Sequence, residues 1–179
     1  LLLHALGSSL AMWDAQAHHY LDEFFVVRYS MRGHGGSTID CLQELDIDAL
    51  ARDACAVLDA LAIERAHWCG LSIGGMIAQG LAVKRLDQVR ALVLSNTAAK
   101  IGTPQIWAER IEAIRAGGIE AIADATMVRW FSEPFRAGAE CAAWRNMLTR
   151  QPREGYLGCA NAVAGSDFIT PTSGLSLPT

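Results

Sequence analysis

Gly70-Leu71-Ser72-Ile73-Gly74-Gly75 is the stretch of this 179-residue sequence whose residue types and spacing could do covalent chemistry. A serine with glycine two positions away on each side, after a short apolar run and before a helical one, fits a nucleophile elbow. The turn such a serine occupies is tight enough to strain its backbone, and side chains at 70 and 74 would collide with the neighbouring strand and helix. With glycine there, the Ser72 hydroxyl projects above the sheet. The Ile73 N–H, at the start of the helix, points to where an acyl oxyanion would form. A dinucleotide fingerprint is excluded because it needs glycine where Ser72 stands, and a P-loop because no Gly-Lys-Ser/Thr run follows.

A second oxyanion donor in such hydrolases comes from the loop after an early strand, which here is His4-Ala5-Leu6-Gly7, with the Leu6 N–H as candidate. The alternative is an ordinary turn. Arg32-Gly33-His34-Gly35-Gly36-Ser37 is also glycine-rich, but no helix N-terminus or lysine completes a phosphate cradle, so it reads as structural. A serine needs a base, itself oriented by an acid, and in this elbow type the chain order is Ser, then Asp or Glu, then His. The five histidines, 4, 18, 19, 34 and 67, all precede Ser72. His67, on the strand leading into the elbow, is expected to be packed rather than catalytic.

The elements that must position these residues follow from hydrophobic periodicity. Residues 1–3 read as the tail of a buried strand, 24–29 as a second strand, 66–69 as a third and 89–94 as a fourth. Ile47, Leu50, Ala51, Ala54, Val57, Leu58 and Leu61 mark an amphipathic helix, and 76–86 another. Near-continuous apolar strands alternating with helices predict an α/β fold, a parallel sheet covered on both faces. From Gln105 to about Ala164 only helical periodicity remains, interrupted at Gly117-Gly118, Pro134, Gly138 and Pro152. Residues 175–179 look like the approach to a further strand. The resulting division is a partial core over 1–98, a helical lid over 99–168 and the start of a return to the core over 169–179.

Composition narrows the partners. With 15 Lys+Arg against 19 Asp+Glu and 51% hydrophobic residues, the chain is globular and mildly acidic, which disfavours nucleic acid and anionic membrane. The longest run without a charged residue, 66–83, holds four glycines and is rejected as a membrane span. Cysteines 41, 55, 69, 141 and 159 are odd in number and lack Cys-x-x-Cys spacing, arguing against a disulfide framework or zinc site and for reduced thiols in the cytoplasm. No signal peptide is visible, and the start at Leu1 rather than Met suggests that a natural beginning is missing.

The order H-x-L-G-S-S-L-x-M-W, R-G-H-G-x-S, H-x-C-G-L-S-x-G-G-M-I-x-Q and L-V-L-S-N-T-A resembles the α/β-hydrolase superfamily. Within it the chain is similar to 3-oxoadipate enol-lactonases, by the run from Asn96 to Pro104, the Arg115-Ala116-Gly117-Gly118 turn, Arg129-Trp130-Phe131 and Glu154-Gly155-Tyr156. Ser30 and Leu86 depart from the family's usual Asp and Pro, and Asn96 is neutral where some relatives carry the acid. The resemblance implies an inserted helical lid and triad Asp and His beyond Thr179. The expectation is therefore a fragment, incomplete at both ends and itself nearly inactive.

What the resemblance implies for the complete enzyme is hydrolysis of 3-oxoadipate enol-lactone in the β-ketoadipate pathway of aromatic catabolism, with Ser72 as nucleophile, Ile73 and Leu6 as oxyanion donors, and no cofactor or metal. The substrate's carboxylate needs a cationic partner, for which Arg129, beside Trp130, is the candidate; a solvated Arg129 and a packing Trp130 are the alternative. Trp107 and Trp144 are expected to pack within the lid. Rival functions are another hydrolase of this fold (a carboxylesterase, perhydrolase or carbon–carbon bond hydrolase) or a non-catalytic ligand-binding relative. The sequence leaves the oligomeric state open.

Overall fold

The structure, a computed structural model, describes residues 1–39 and 45–179; Cys41 lies outside them. Three parallel strands, β1 (Leu2–Leu3), β2 (Ala66–Leu71) and β3 (Val89–Ser95), form a sheet in the order β1-β2-β3. Leu2 is in register with Cys69, and Trp68 with Leu92. Parallel neighbours need a crossover connection. Helix α3 (Ile73–Lys84) supplies it between β2 and β3 and is buried nearly all round, from Ile73 to Ala82. It packs on the Trp68–Leu92 face of the sheet and is covered by α2 (Ile47–Ala60), so no polar stripe is left on it. Helix α2 is capped by Asp46, whose Oδ1 accepts from the Ala49 N–H at 2.7 Å. On the opposite face of the sheet His67 is exposed and Val93 is 57% exposed.

The strand expected at 24–29 is reduced to a single bridge between Leu2 and Arg28, with Leu2 N–H donating to the Val27 carbonyl at 2.8 Å. Phe24 and Phe25 remain 49% and 78% exposed. A ladder needs a partner edge, and two-residue β1 offers little. At the other margin, the Leu92 N–H donates to the Pro178 carbonyl at 2.9 Å, so the 175–179 segment does meet β3. The short helix α1 (Asp14–Tyr20) follows the first loop.

Beyond β3 the chain is helical: α4 (Pro104–Gly117), α5 (Glu120–Trp130), α6 (Glu133–Arg136), α7 (Glu140–Thr149), α8 (Arg153–Ala164) and α9 (Ile169–Thr172). Interruptions fall at Gly118, Gly138 and Pro152 as expected, whereas Pro134 lies in the first turn of α6, where a missing N–H costs no helical bond. Thr103 caps α4, accepting from Ile106 N–H at 3.3 Å with Pro104 at the first helical position, and Gly118 ends it at φ +70°. Helix α4 packs on α5 and α8, and α5 on α7. The layer is pinned to the core where Gly155 of α8 meets the backbone of Gly33, so closely that a Cβ on either would overlap the other. Among the described residues no helix is long and apolar enough to cross a membrane. No group of three or more His, Cys, Asp or Glu among them could hold a metal ion.

Candidate active site

Ser72 joins β2 to α3 at φ +58°, ψ −118°, a backbone conformation that costs a side-chain-bearing residue about 1–3 kcal/mol. Its surroundings hold it there. Ser72 N–H donates to the Ser95 carbonyl at 3.1 Å, and its own carbonyl accepts from Gly75 N–H at 2.9 Å and Thr97 Oγ1 at 2.7 Å. A Cβ on Gly70 would overlap the Gly74 carbonyl in the first turn of α3, and one on Gly74 would overlap the Leu3 carbonyl of β1. Both expected collisions are thus present, each with backbone that cannot swing aside. Gly75 is a third requirement that the sequence did not disclose: a Cβ there would meet Thr97 Cγ2 at 2.5 Å.

Ser72 and Leu6 both line a cavity of about 610 Å³ between the strand ends and the helical layer. The loop carrying Leu6 is held by two buried histidines. His4 Nε2 accepts from Met31 N–H at 2.8 Å, which places its proton on Nδ1, 2.8 Å from the Ala5 carbonyl. His34 Nε2 accepts from Gly7 N–H at 3.1 Å. The glycine-rich 32–37 loop, read as structural, thus carries a residue that fixes the loop at 4–8. Met12 Sδ accepts from Ala5 N–H at 3.4 Å and from Ser8 Oγ at 3.1 Å. Among the described residues the Leu6 amide donates to no partner, and the Ile73 amide, first in α3, has no carbonyl within the helix to bond.

Burial and the neighbouring His34 push the His4 pKa down to about 3, and burial lowers that of His34 to about 4, so both are neutral at pH 7. With Nε2 of each engaged by a backbone amide, neither is available to take the Ser72 proton. His18 and His19 are exposed on α1, and no histidine lines the cavity. His67, expected to be packed, is exposed and stands edge-on to Phe24 at 6.1 Å, because the sheet face it occupies is open. Asn96, at φ +44°, does line the cavity, its Oδ1 accepting from Ser95 Oγ at 2.9 Å.

Arg129 and Trp130 reach the same cavity from the end of α5. Trp107 and Trp144, expected to pack within the lid, pack there and also line the cavity: Trp144 lies against Phe131 at 5.3 Å between ring centres, and Trp107 Nε1 donates to the Ile101 carbonyl at 2.7 Å. Arg110 and Tyr156 were missed. Arg110 Nε donates to Tyr156 Oη at 2.8 Å and its Nη2 to Thr126 Oγ1 at 3.0 Å. A helical arginine reads as solvated, yet Arg110 sits three residues after Trp107 and one before buried Ile111, a spacing that puts it beside the inward face of α4. The arrangement offers a hydroxyl on a strained turn, free amides beside it, and a cationic, aromatic wall opposite.

A family model for the alpha/beta hydrolase fold matches residues 1–117. The chain is 34% identical over 177 residues to 3-oxoadipate enol-lactonase 2 of Acinetobacter baylyi, an alignment covering 98% of this chain and 66% of that protein. It therefore spans about two thirds of the length of that relative. The crystal structure of the enol-lactonase from Burkholderia xenovorans superposes with a TM-score of 0.95 at 34% identity, covering 99% of this chain and 68% of that one. A malate-bound thermophilic esterase from Thermogutta terrifontis gives a TM-score of 0.90 at 30% identity over 99% of this chain and 68% of its own.

Proposed function

From the premise that the chain belongs to the alpha/beta hydrolase fold family, we propose that it carries the nucleophile and the substrate cavity of a cytoplasmic serine hydrolase that opens the lactone ring of 3-oxoadipate enol-lactone. The observation that carries this is Ser72 held in a strained turn at the floor of the cavity, with the Leu6 loop beside it. Enol-lactonase relatives along 98% of the chain supply the narrower substrate.

In this reading Ser72 Oγ attacks the ring carbonyl carbon and its proton passes to a general base. The oxygen of that carbonyl gains negative charge between the Leu6 and Ile73 amides. Collapse breaks the ring C–O bond and releases the enol oxygen, which takes the proton; the rest of the substrate stays on Ser72 as an acyl ester. Water then cleaves the ester, returning the Ser72 hydroxyl and freeing a carboxylate, and the enol tautomerises to the ketone of 3-oxoadipate. Neither buried imidazole has a free nitrogen for this work, so His4 and His34 are not that base. Arg129 would hold the substrate's carboxylate with Trp130 beside it, and the helices α4 to α8 would act as the lid that keeps water from the reacting carbonyl. Malate, bound by the esterase relative, is also a small carboxylate.

The experiment is an assay of the protein from the full reading frame on 3-oxoadipate enol-lactone and on an uncharged aryl ester. Hydrolysis of the lactone in preference to the ester, lost by about a thousandfold or more in Ser72→Ala, is the expected result. Preference for the uncharged ester would favour the general esterase reading, for which the 30% identical esterase speaks. Activity unchanged in Ser72→Ala would remove the hydrolase reading altogether.

A further inference from the structure

The cavity that Ser72 lines also presents two guanidinium groups, those of Arg110 and Arg129. Among the described residues neither Arg110 nor Arg129 forms an ion pair, and no aspartate or glutamate lines the cavity. The other lining cation, Lys100, is paired with Asp167 at 2.9 Å. Like charges beside an apolar, aromatic wall raise each other's energy, and an anion between them removes that cost. Arg129 registers the effect, its pKa lowered first by desolvation and then by the charge of Arg110.

Arg110 differs from Arg129 in being held in one orientation. Its Nε and Nη2 hydrogen bonds go to Tyr156 and Thr126, each only 1% exposed, and its guanidinium carbon lies 5.7 Å from the Tyr156 ring centre and 6.0 Å from that of Trp107. Those bonds occupy the Nε/Nη2 edge of the fork. The end-on Nη1/Nη2 edge keeps two parallel donors, the geometry a carboxylate takes bidentately. An arginine already fixed by hydroxyls loses little side-chain entropy when it binds.

We propose that Arg110, sharing the substrate's carboxylate with Arg129, is the specificity-determining residue of this cavity, a pre-oriented guanidinium that selects ligands bearing a carboxylate remote from the carbon presented to Ser72, with Tyr156 and Thr126 as its positioning residues. This rests on the reading of the cavity as the acyl-substrate site. Ring opening turns the lactone carbonyl into a second carboxylate, so short dicarboxylates mimic the product and bind without any catalytic base.

The test is a titration of the protein from the full reading frame with glutarate and with its uncharged diamide, followed by tryptophan fluorescence, since Trp107, Trp130 and Trp144 line the cavity. Glutarate is expected to bind saturably and the diamide at least tenfold more weakly. Arg110→Met and Arg110→Lys should each weaken glutarate tenfold or more, the lysine because an ammonium cannot make the fork. Thr126→Val should weaken it severalfold, and Arg115→Met, on the exposed end of α4, not at all. Equal binding of diamide and diacid, or wild-type affinity in Arg110→Met, would overturn the assignment. If Arg110→Met does not fold, the diacid–diamide comparison and Thr126→Val decide. The hydrolase reading fails separately: Ser72-dependent turnover of an uncharged ester survives loss of the Arg110 assignment, and glutarate binding survives a catalytically indifferent Ser72→Ala.

Discussion

Ser72 is both the proposed nucleophile and one of three non-glycine residues with positive φ among the described residues. Its φ and ψ are ones that glycine alone adopts without penalty, so Ser72→Gly should abolish hydrolysis while stabilising the fold by about 1 kcal/mol, read as a rise of about 2–4 °C in Tm. Ser72→Ala keeps the Cβ and the strain, and should show no such gain; a Ser72→Gly protein melting at or below wild type would place the strain elsewhere. His4 and His34 are the other residues with a testable consequence. Their pKa values, about 3 and about 4 in the fold, lie below the ordinary 6.5 of an unfolded chain, so between these limits the unfolded state binds more protons. Stability is therefore complete above pH 6.5 and falls as pH drops toward 4, by about 1.4 kcal/mol per pH unit for each histidine. His34→Gln, which keeps an acceptor for Gly7 N–H but does not titrate, should flatten the slope of denaturant midpoint against pH by about one proton; an unchanged slope would contradict the assignment.

At the scale of elements, the elbow works because α3 starts within contact distance of both β1 and β2. Gly74→Ala drives a methyl into the Leu3 carbonyl and should cost about 3 kcal/mol or more, checked by urea unfolding. A milder loss would mean that α3 can retreat from β1. Gly70 and Gly74 were legible from spacing because the strand-turn-helix geometry is local. The need for Gly75 was not, since it depends on where Thr97, at the end of another strand, comes to rest. The 24–29 strand failed for the complementary reason: its residues have strand propensity, but pairing depends on the edge that receives it, and two-residue β1 takes a single bridge.

At the scale of the molecule, the helical layer and the core meet backbone to backbone at Gly33 and Gly155. Gly155→Ala should force the two apart, lowering Tm by several degrees and quickening proteolysis in the turns between α4 and α7, with limited digestion as the measurement. Cleavage at the wild-type rate would show that other contacts suffice to hold the layer down. The same closure brings Trp107, Arg110, Arg129 and Ser72 to one cavity although they lie on α4, α5 and the β2–α3 turn.

The amino-acid order by itself determined the elbow, the α/β pattern, the all-helical second half and the lack of any histidine after Ser72, because each is written in local spacing or in residue type. Only the tertiary structure decided that His4 and His34 are spent on backbone amides, that Trp107 and Trp144 line the cavity, and that Arg110 is held there by hydroxyls, with no counter-ion among the described residues. Those outcomes depend on which groups from distant parts of the chain end up within hydrogen-bonding reach, and no local pattern encodes that.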